Sequence, residues 1–235
     1  MNITPFLAKA FQELDNKMQG ILNGTKIESI KETISYYAIA AAIASMIAAV
    51  VPGGGGLIAA AAQVGFLWAT YVKINKTIGL SMTDETSKFL ANAILTNLIT
   101  YYGALLAGHI VASVVAFIPI AGSALAAAAE GLIGYTAIYV SAYIYIKLIT
   151  RVVKPDGSIE IADKDKTSDI IKQIMAREDM KGLVKESTKQ FKDAQKSGAI
   201  DAVKALKRCP ECGTPYSEGD HFCSVCGHDL TKSNK

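Results

Sequence analysis

The sequence predicts an all-α membrane protein built from two pseudo-repeated apolar helical hairpins, with a small C-terminal zinc ribbon. Three observations carry that reading. Charged side chains are absent from residues 33–72, 89–129 and 131–146. Two stretches, PGGGGLIAAAAQ from Pro52 and PIAGSALAAAAE from Pro119, match at a fixed offset of 67 residues. The last segment carries CPECGTPYSEGDHFCSVCG, a pair of Cys-x-x-Cys-Gly knuckles.

The repeat pairs Pro52 with Pro119, Gly55 with Gly122, Gln63 with Glu130 and Trp68 with Tyr135. Alanine runs coincide by chance, but a constant offset of proline, glycine, polar and aromatic residues indicates one structural unit used twice. Around it, 235 residues suffice for one core and a small appendage. A formal charge of +3 is too small to imply a nucleic-acid partner. The N-terminal stretch MNITPFLAKAFQELDNK is amphipathic without an apolar core, so no signal peptide is expected.

Taken in order, the elements read as follows. Thr4-Pro5 suits an N-cap and first helical position, and Leu7, Phe11, Leu14, Met18 and Ile21 recur at helical spacing until Asn23-Gly24. This makes residues 1–31 an N-terminal amphipathic helix. Residues 32–151 form the hydrophobic double-hairpin domain, with helices over about 33–51, 57–75, 83–118 and 121–150. Residues 152–207 are a charged helical linker region. In it a turn at Lys154-Pro155-Asp156-Gly157 joins two short β-prone runs. An amphipathic helix over 168–196 and a short one over 199–207 follow. Residues 208–230 are the zinc ribbon.

Two readings of the apolar helices compete. SYYAIAAAIASMIAAVV and LLAGHIVASVVAFIPIAG lack the polar face that a helix of a soluble bundle keeps. Their length is that of membrane spans, and their alanine and glycine suit close helix contact in lipid. A very apolar soluble bundle is the alternative, because alanine is weakly hydrophobic and the turns are short. Tyr36, Trp68 and Tyr71 should lie roughly 23 to 28 Å from the first tip, and Tyr101, Tyr102, Tyr135 and Tyr139 roughly 23 to 29 Å from the second. Read as spans, these rings form an interfacial aromatic belt. Read as a bundle, they are core aromatics. Lys26, Lys31, Lys73, Lys76, Lys147, Arg151 and Lys154 fall beyond that end. The positive-inside rule then makes the protein multi-pass with both termini cytoplasmic.

The segments AVVPGGGGLI, YVKINKTIGLS and FIPIAGSALAAAAEGLIGY resemble the YcjF-type membrane domain, an uncharacterised hydrophobic domain that often follows a GTPase domain. The resemblance covers roughly residues 34–148. It implies membrane association and service to a GTPase, and it implies no catalytic residues. The chain contains no G-x-x-x-x-G-K-[ST] loop, so nucleotide chemistry would belong to a partner.

Cys209, Cys212, Cys223 and Cys226 are the metal-ligand candidates. Four thiolates at this spacing suit tetrahedral Zn2+ in a closed, structural site. Two disulfides or an iron–sulfur centre are the alternatives. His221 and His228 are replacement ligands in principle and surface histidines otherwise. Tyr216 and Phe222 are expected to cover the metal. Zinc-binding thiolates require a reducing compartment, which agrees with a cytoplasmic C-terminus.

His109 and Glu130 should face each other about ten residues from the second tip. An ionisable group in mid-membrane is a functional hypothesis by default. The pair is either a proton or ion site or a hydrogen bond locking a hairpin, and Gln63 holds the equivalent place in the first unit without charge. No acid/base pair or nucleophile constellation supports an enzyme. Lys204, Lys207 and Arg208 form the one basic run beside the ribbon, which a solvated helix end explains as well as nucleic acid. The expectation is a structural or adaptor protein whose partners are membrane lipid, a protein such as a GTPase, and further copies of itself. A small pore or transporter is the second reading.

Overall fold

The computed structural model describes residues 4–49, 55–115, 123–154, 158–159, 161, 163–211, 215–216, 221–222 and 228–231. At 55–62, 102, 104–115, 123–126, 164, 208 and 215 it describes the backbone alone. Among these residues the regular structure is all-helical apart from two-residue strands near the C-terminus. The helices are α1 (Pro5–Lys17), α2 (Gly24–Ala48), α3 (Gly55–Ile78), α4 (Asp84–Val115), α5 (Ser123–Val152), α6 (Lys164–Arg177), α7 (Met180–Lys196) and α8 (Ala199–Lys204).

The start of α1 follows from Thr4-Pro5: Thr4 caps the helix, accepting from the Leu7 amide at 3.4 Å, and Pro5 supplies a preset φ where no N–H is needed. It stops early, at Lys17, and Gln19 turns the chain with a φ of 57°. Asn23-Gly24 therefore does a different job from the one expected. Asn23 accepts from the Lys26 amide at 2.9 Å and opens α2, well before the expected start near Thr33. The long charged helix expected over 168–196 is two helices. Glu178 is extended, and Asp179 caps α7 through the Gly182 amide at 2.9 Å. The turn after residue 152 is present as the antiparallel bridge Val153↔Ile159.

α5 sits at the centre, packed against α1, α2, α3, α4, α6 and α7. It runs antiparallel to α2 and parallel to α3. The contact with α2 depends on small residues: a Cβ on Gly134 would meet the Ala41 carbonyl oxygen at 2.7 Å and Ser45 Oγ at 2.5 Å. Ala38, Ala40, Ala41 and Ala42 are fully buried at or beside this crossing. One hydrophobic core extends from Leu7 through Val203, so α6 and α7 belong to the core and do not act as a linker. Leu183, Val184 and Phe191 recur at helical spacing on α7 and are buried.

The aromatic belt takes a different form from the one expected. Tyr71, Tyr135 and Tyr139 are 0% exposed. Tyr71 stacks on Tyr145 with centroids 3.8 Å apart and planes 5° apart, and Tyr145 donates to Asn75 Oδ1 at 2.7 Å. Tyr139 donates to Glu186 at 2.9 Å, and Thr4 Oγ1 lies 2.6 Å from the same hydroxyl. Tyr143 donates to Glu178 at 2.5 Å. Tyr139 and Tyr143 meet protein carboxylates because α7 and the α6–α7 junction pack on this part of α5. The bundle reading is the one that fits them. Of the remaining belt positions, Tyr101 is exposed, Tyr36 and Trp68 are half-buried, and the Tyr102 side chain lies outside the described residues.

Lys147, expected at a solvated flank, is instead buried. It is bonded to Glu13 of α1 and to Glu178 at 2.9 Å. Among the described residues one helix is long and apolar enough to cross a membrane, over Ala127–Val152, and 94% of its most apolar stretch is buried within the protein.

Gly134→Val is expected to force α2 from α5 and destabilise the fold by about 3 kcal/mol, as overpacking does; chemical denaturation measures it. Lys147→Met should cost about 3 kcal/mol because it strands the carboxylate of Glu178, whereas Glu13→Gln should cost about 1 kcal/mol or less. Burial raises the pKa of Glu178, but bonds from Lys147 and Tyr143 outweigh it and hold it below the usual 4.5. The unfolded chain then binds this proton first as pH falls. Stability should be lost as pH drops through and below about 4.5, and Glu178→Gln should flatten that part of the acid profile in thermal melts.

Candidate metal centre

The C-terminal segment forms two small loops, each closed by backbone pairing. β1 (Lys207–Arg208) pairs antiparallel with β2 (Pro215–Tyr216), with Lys207 opposite Tyr216 and Arg208 opposite Pro215. The loop they enclose, residues 209–214, reads CPECGT. Further on, Phe222 and Asp229 form an antiparallel bridge, and the Leu230 amide donates to the His221 carbonyl at 2.9 Å. That second loop, residues 223–228, reads CSVCGH. Both loops have the same length and the same Cys-x-x-Cys-Gly register. Each therefore starts with a cysteine directly after its closing pair, which is where a zinc knuckle needs its first thiolate.

Cys209 is 2% exposed and packs with Leu230 and the half-buried Tyr216. A thiol held against an apolar floor fits a structural zinc ligand. Phe222 is 63% exposed. Cys212, Cys223 and Cys226 lie outside the described residues. Among the described residues no three His, Cys, Asp or Glu side chains come together as a metal site.

The two ribbon histidines occupy the edge of this unit. His221 is exposed, and His228 Nδ1 lies 3.9 Å from Glu211 Oε1. In the basic run before the ribbon, Lys204 pairs with Asp201 at 3.6 Å, as a solvated helix end does. Within the double hairpin, Gln63 Nε2 donates to Ser45 Oγ at 3.4 Å, so it ties α3 to α2. Glu130 is half-buried, and the side chain of His109 lies outside the described residues, so their pairing does too.

What the sequence did not disclose is the second polar centre, Lys147 with Glu13, Glu178 and Tyr143. Its members come from α1, α5 and the α6–α7 junction, and nothing in their spacing signals that they meet.

Residues 208–230 match the zinc-ribbon family and form a zinc-ribbon domain. Neither a curated protein nor a solved structure matches the chain. The family match and the closed loops together support zinc binding by this segment. Elemental analysis of reduced, freshly purified protein is expected to give about one zinc per chain, and Cys209→Ser should lower that content and open the β1–β2 pair to amide exchange. A zinc-free native protein would refute it.

Proposed function

We propose that this protein is a membrane-embedded structural or adaptor protein. It anchors or remodels membrane through its two hairpins, and its cytosolic helices and zinc ribbon bind a protein partner. One observation carries the reading. The hairpin helices are clamped at one end by amphipathic α1, α6 and α7, while α4 continues as helix to Val115 along a sequence without charge after Lys88. A water-facing helix of that composition would expose a wide apolar surface.

The fixed offset of the two turns and the resemblance to the YcjF-type domain support the same reading, and the resemblance makes a GTPase the kind of partner served. The ribbon contributes a rigid cytosolic platform. Cys209, Cys212, Cys223 and Cys226 are its zinc ligands, and zinc there crosslinks the two knuckles without supplying a reactive centre. The base of the molecule and both termini lie on the cytoplasmic side.

The expected outcome in cells is recovery in the membrane fraction, resistant to carbonate extraction. Recovery of the full chain in the soluble fraction rejects the membrane role. In crosslinked membranes, Cys209→Ser should lose the protein partner without losing membrane attachment; simultaneous loss of both would show that the ribbon does not act as a separate platform.

A further inference from the structure

We infer that a row of lysines along α7 is the surface on which this protein docks an acidic helix of its protein partner. The inference deepens the partner-binding half of the function proposed above and does not depend on the membrane half.

Lys181, Lys185, Lys189, Lys192 and Lys196 all lie on α7. At the helical period they fall within about 80° of its circumference and span about 22 Å along its axis. Lys192 is half-buried and the other four are exposed. Those four enter no ion pair among the described residues. Two acidic groups nearby are engaged elsewhere: Asp179 accepts from the Gly182 amide at 2.9 Å, and Glu186 accepts from Tyr139 at 2.9 Å. Like charges three or four residues apart destabilise a helix. Burial and the adjacent Lys196 cation hold the Lys192 ammonium below its usual 10.5. α7 therefore gives up helix stability to keep one face cationic, and an anionic partner relieves that repulsion.

The spacing selects the shape of the partner. Successive lysines rise by about 4.5 to 6 Å, close to the 5.4 Å pitch at which one face of a second helix repeats. Same-face side chains of an extended strand recur at about 6.6 Å and drift out of register along the row. At Lys189 the row borders a cavity of about 540 Å³ between α2, α7 and α8. Ser35, Gln190, Asp193 and Ser197 line it, a set that both donates and accepts, so it suits a polar side chain such as an amide. A side chain lodged there fixes the register that a row of like charges leaves open.

Three other occupants fit less well. α7 runs antiparallel along α5, as the pairs Glu178–Tyr143, Glu186–Tyr139 and Ser187–Thr136 show. A bilayer that takes up the hairpins would meet such a row end-on and touch few of its lysines. The exposed positions of α7 hold no arginine fork and no aromatic ring, the groups that read or stack nucleic-acid bases. A second copy docking face to face brings the same lysines and is repelled.

The test uses the full chain in neutral detergent. The probe is a fluorescein-labelled, alanine-rich helical peptide carrying glutamates at the same spacing as the lysines, read by fluorescence anisotropy. Saturable binding that weakens as salt rises is expected. Lys181→Glu, Lys185→Glu and Lys189→Glu together should weaken it about tenfold or more. The same three changed to Gln should weaken it less, and this variant serves should the first one misfold. Lys17→Glu, Lys73→Glu and Lys76→Glu, which alter net charge equally away from α7, should change it by about twofold or less. Cys209→Ser should bind the peptide as the native chain does. Equal loss in both charge-reversed proteins, or equal binding of a peptide with its glutamates scattered round the helix, overturns the inference. So does loss of binding in Cys209→Ser, which would place the surface on the ribbon. Tighter binding of phosphatidylglycerol vesicles or an oligothymidine, sensitive to the α7 changes, assigns the row to lipid or nucleic acid and overturns it too. None of these results bears on membrane attachment, which carbonate extraction decides separately.

Discussion

Everything about this fold depends on keeping one apolar helix, α5, covered on all sides. Its core positions between Leu132 and Val153 are nearly all buried, and that surface is too large to leave in water or to satisfy with one neighbour. The chain covers it with elements drawn from both ends. α2 and α3 pack on it from one hairpin, α4 from its own, α1 from the N-terminal side and α7 from the C-terminal side. Lys147 is the polar consequence. A cation on this helix must be compensated once α1 and the α6–α7 junction close over it, and Glu13 and Glu178 arrive with those elements. The ion cluster therefore specifies how the wrapping helices dock more than it adds stability.

The same covering divides each hairpin into two environments. Near the base, tyrosine hydroxyls on α5 meet Glu178, Glu186 and Asn75, so this region is a polar-rimmed protein core. Toward the turns the sequence is rich in alanine, glycine and leucine. Small residues serve both environments. At Gly134 and Ala41 they allow backbones to touch within the base, and in the outer half they would allow hairpin helices to approach in lipid.

The zinc ribbon is independent of that constraint. Its small apolar cluster of Cys209, Leu230 and Tyr216 is separate from the main core. Too little surface is buried there to hold two loops together, which is the ordinary reason for a metal in a module of this size.

Local chemistry made several features legible in the sequence alone. Thr4-Pro5 starts α1 because a hydroxyl acceptor and a preset φ are local properties. The four helices of the double hairpin follow from long apolar runs broken by proline and glycine. The ribbon follows from ligand spacing, which zinc geometry dictates within a few residues. Asn23 is harder to read: its capping amide and the glycine beside it suit a helix end as well as a helix start, and the neighbouring charges hide the continuity of α2. Tyr71, Tyr135 and Tyr139 have no readable place at all, since tyrosine spacing is the same at a lipid interface and in a protein core. Only the tertiary structure decided that, by bringing α1 and α7 against α5. The bond between Tyr139 and Thr4 spans 135 residues, and the one between Tyr143 and Glu178 spans 35. No local preference encodes such pairings; they exist because the helices that bury α5 bring their own polar groups against its tyrosines.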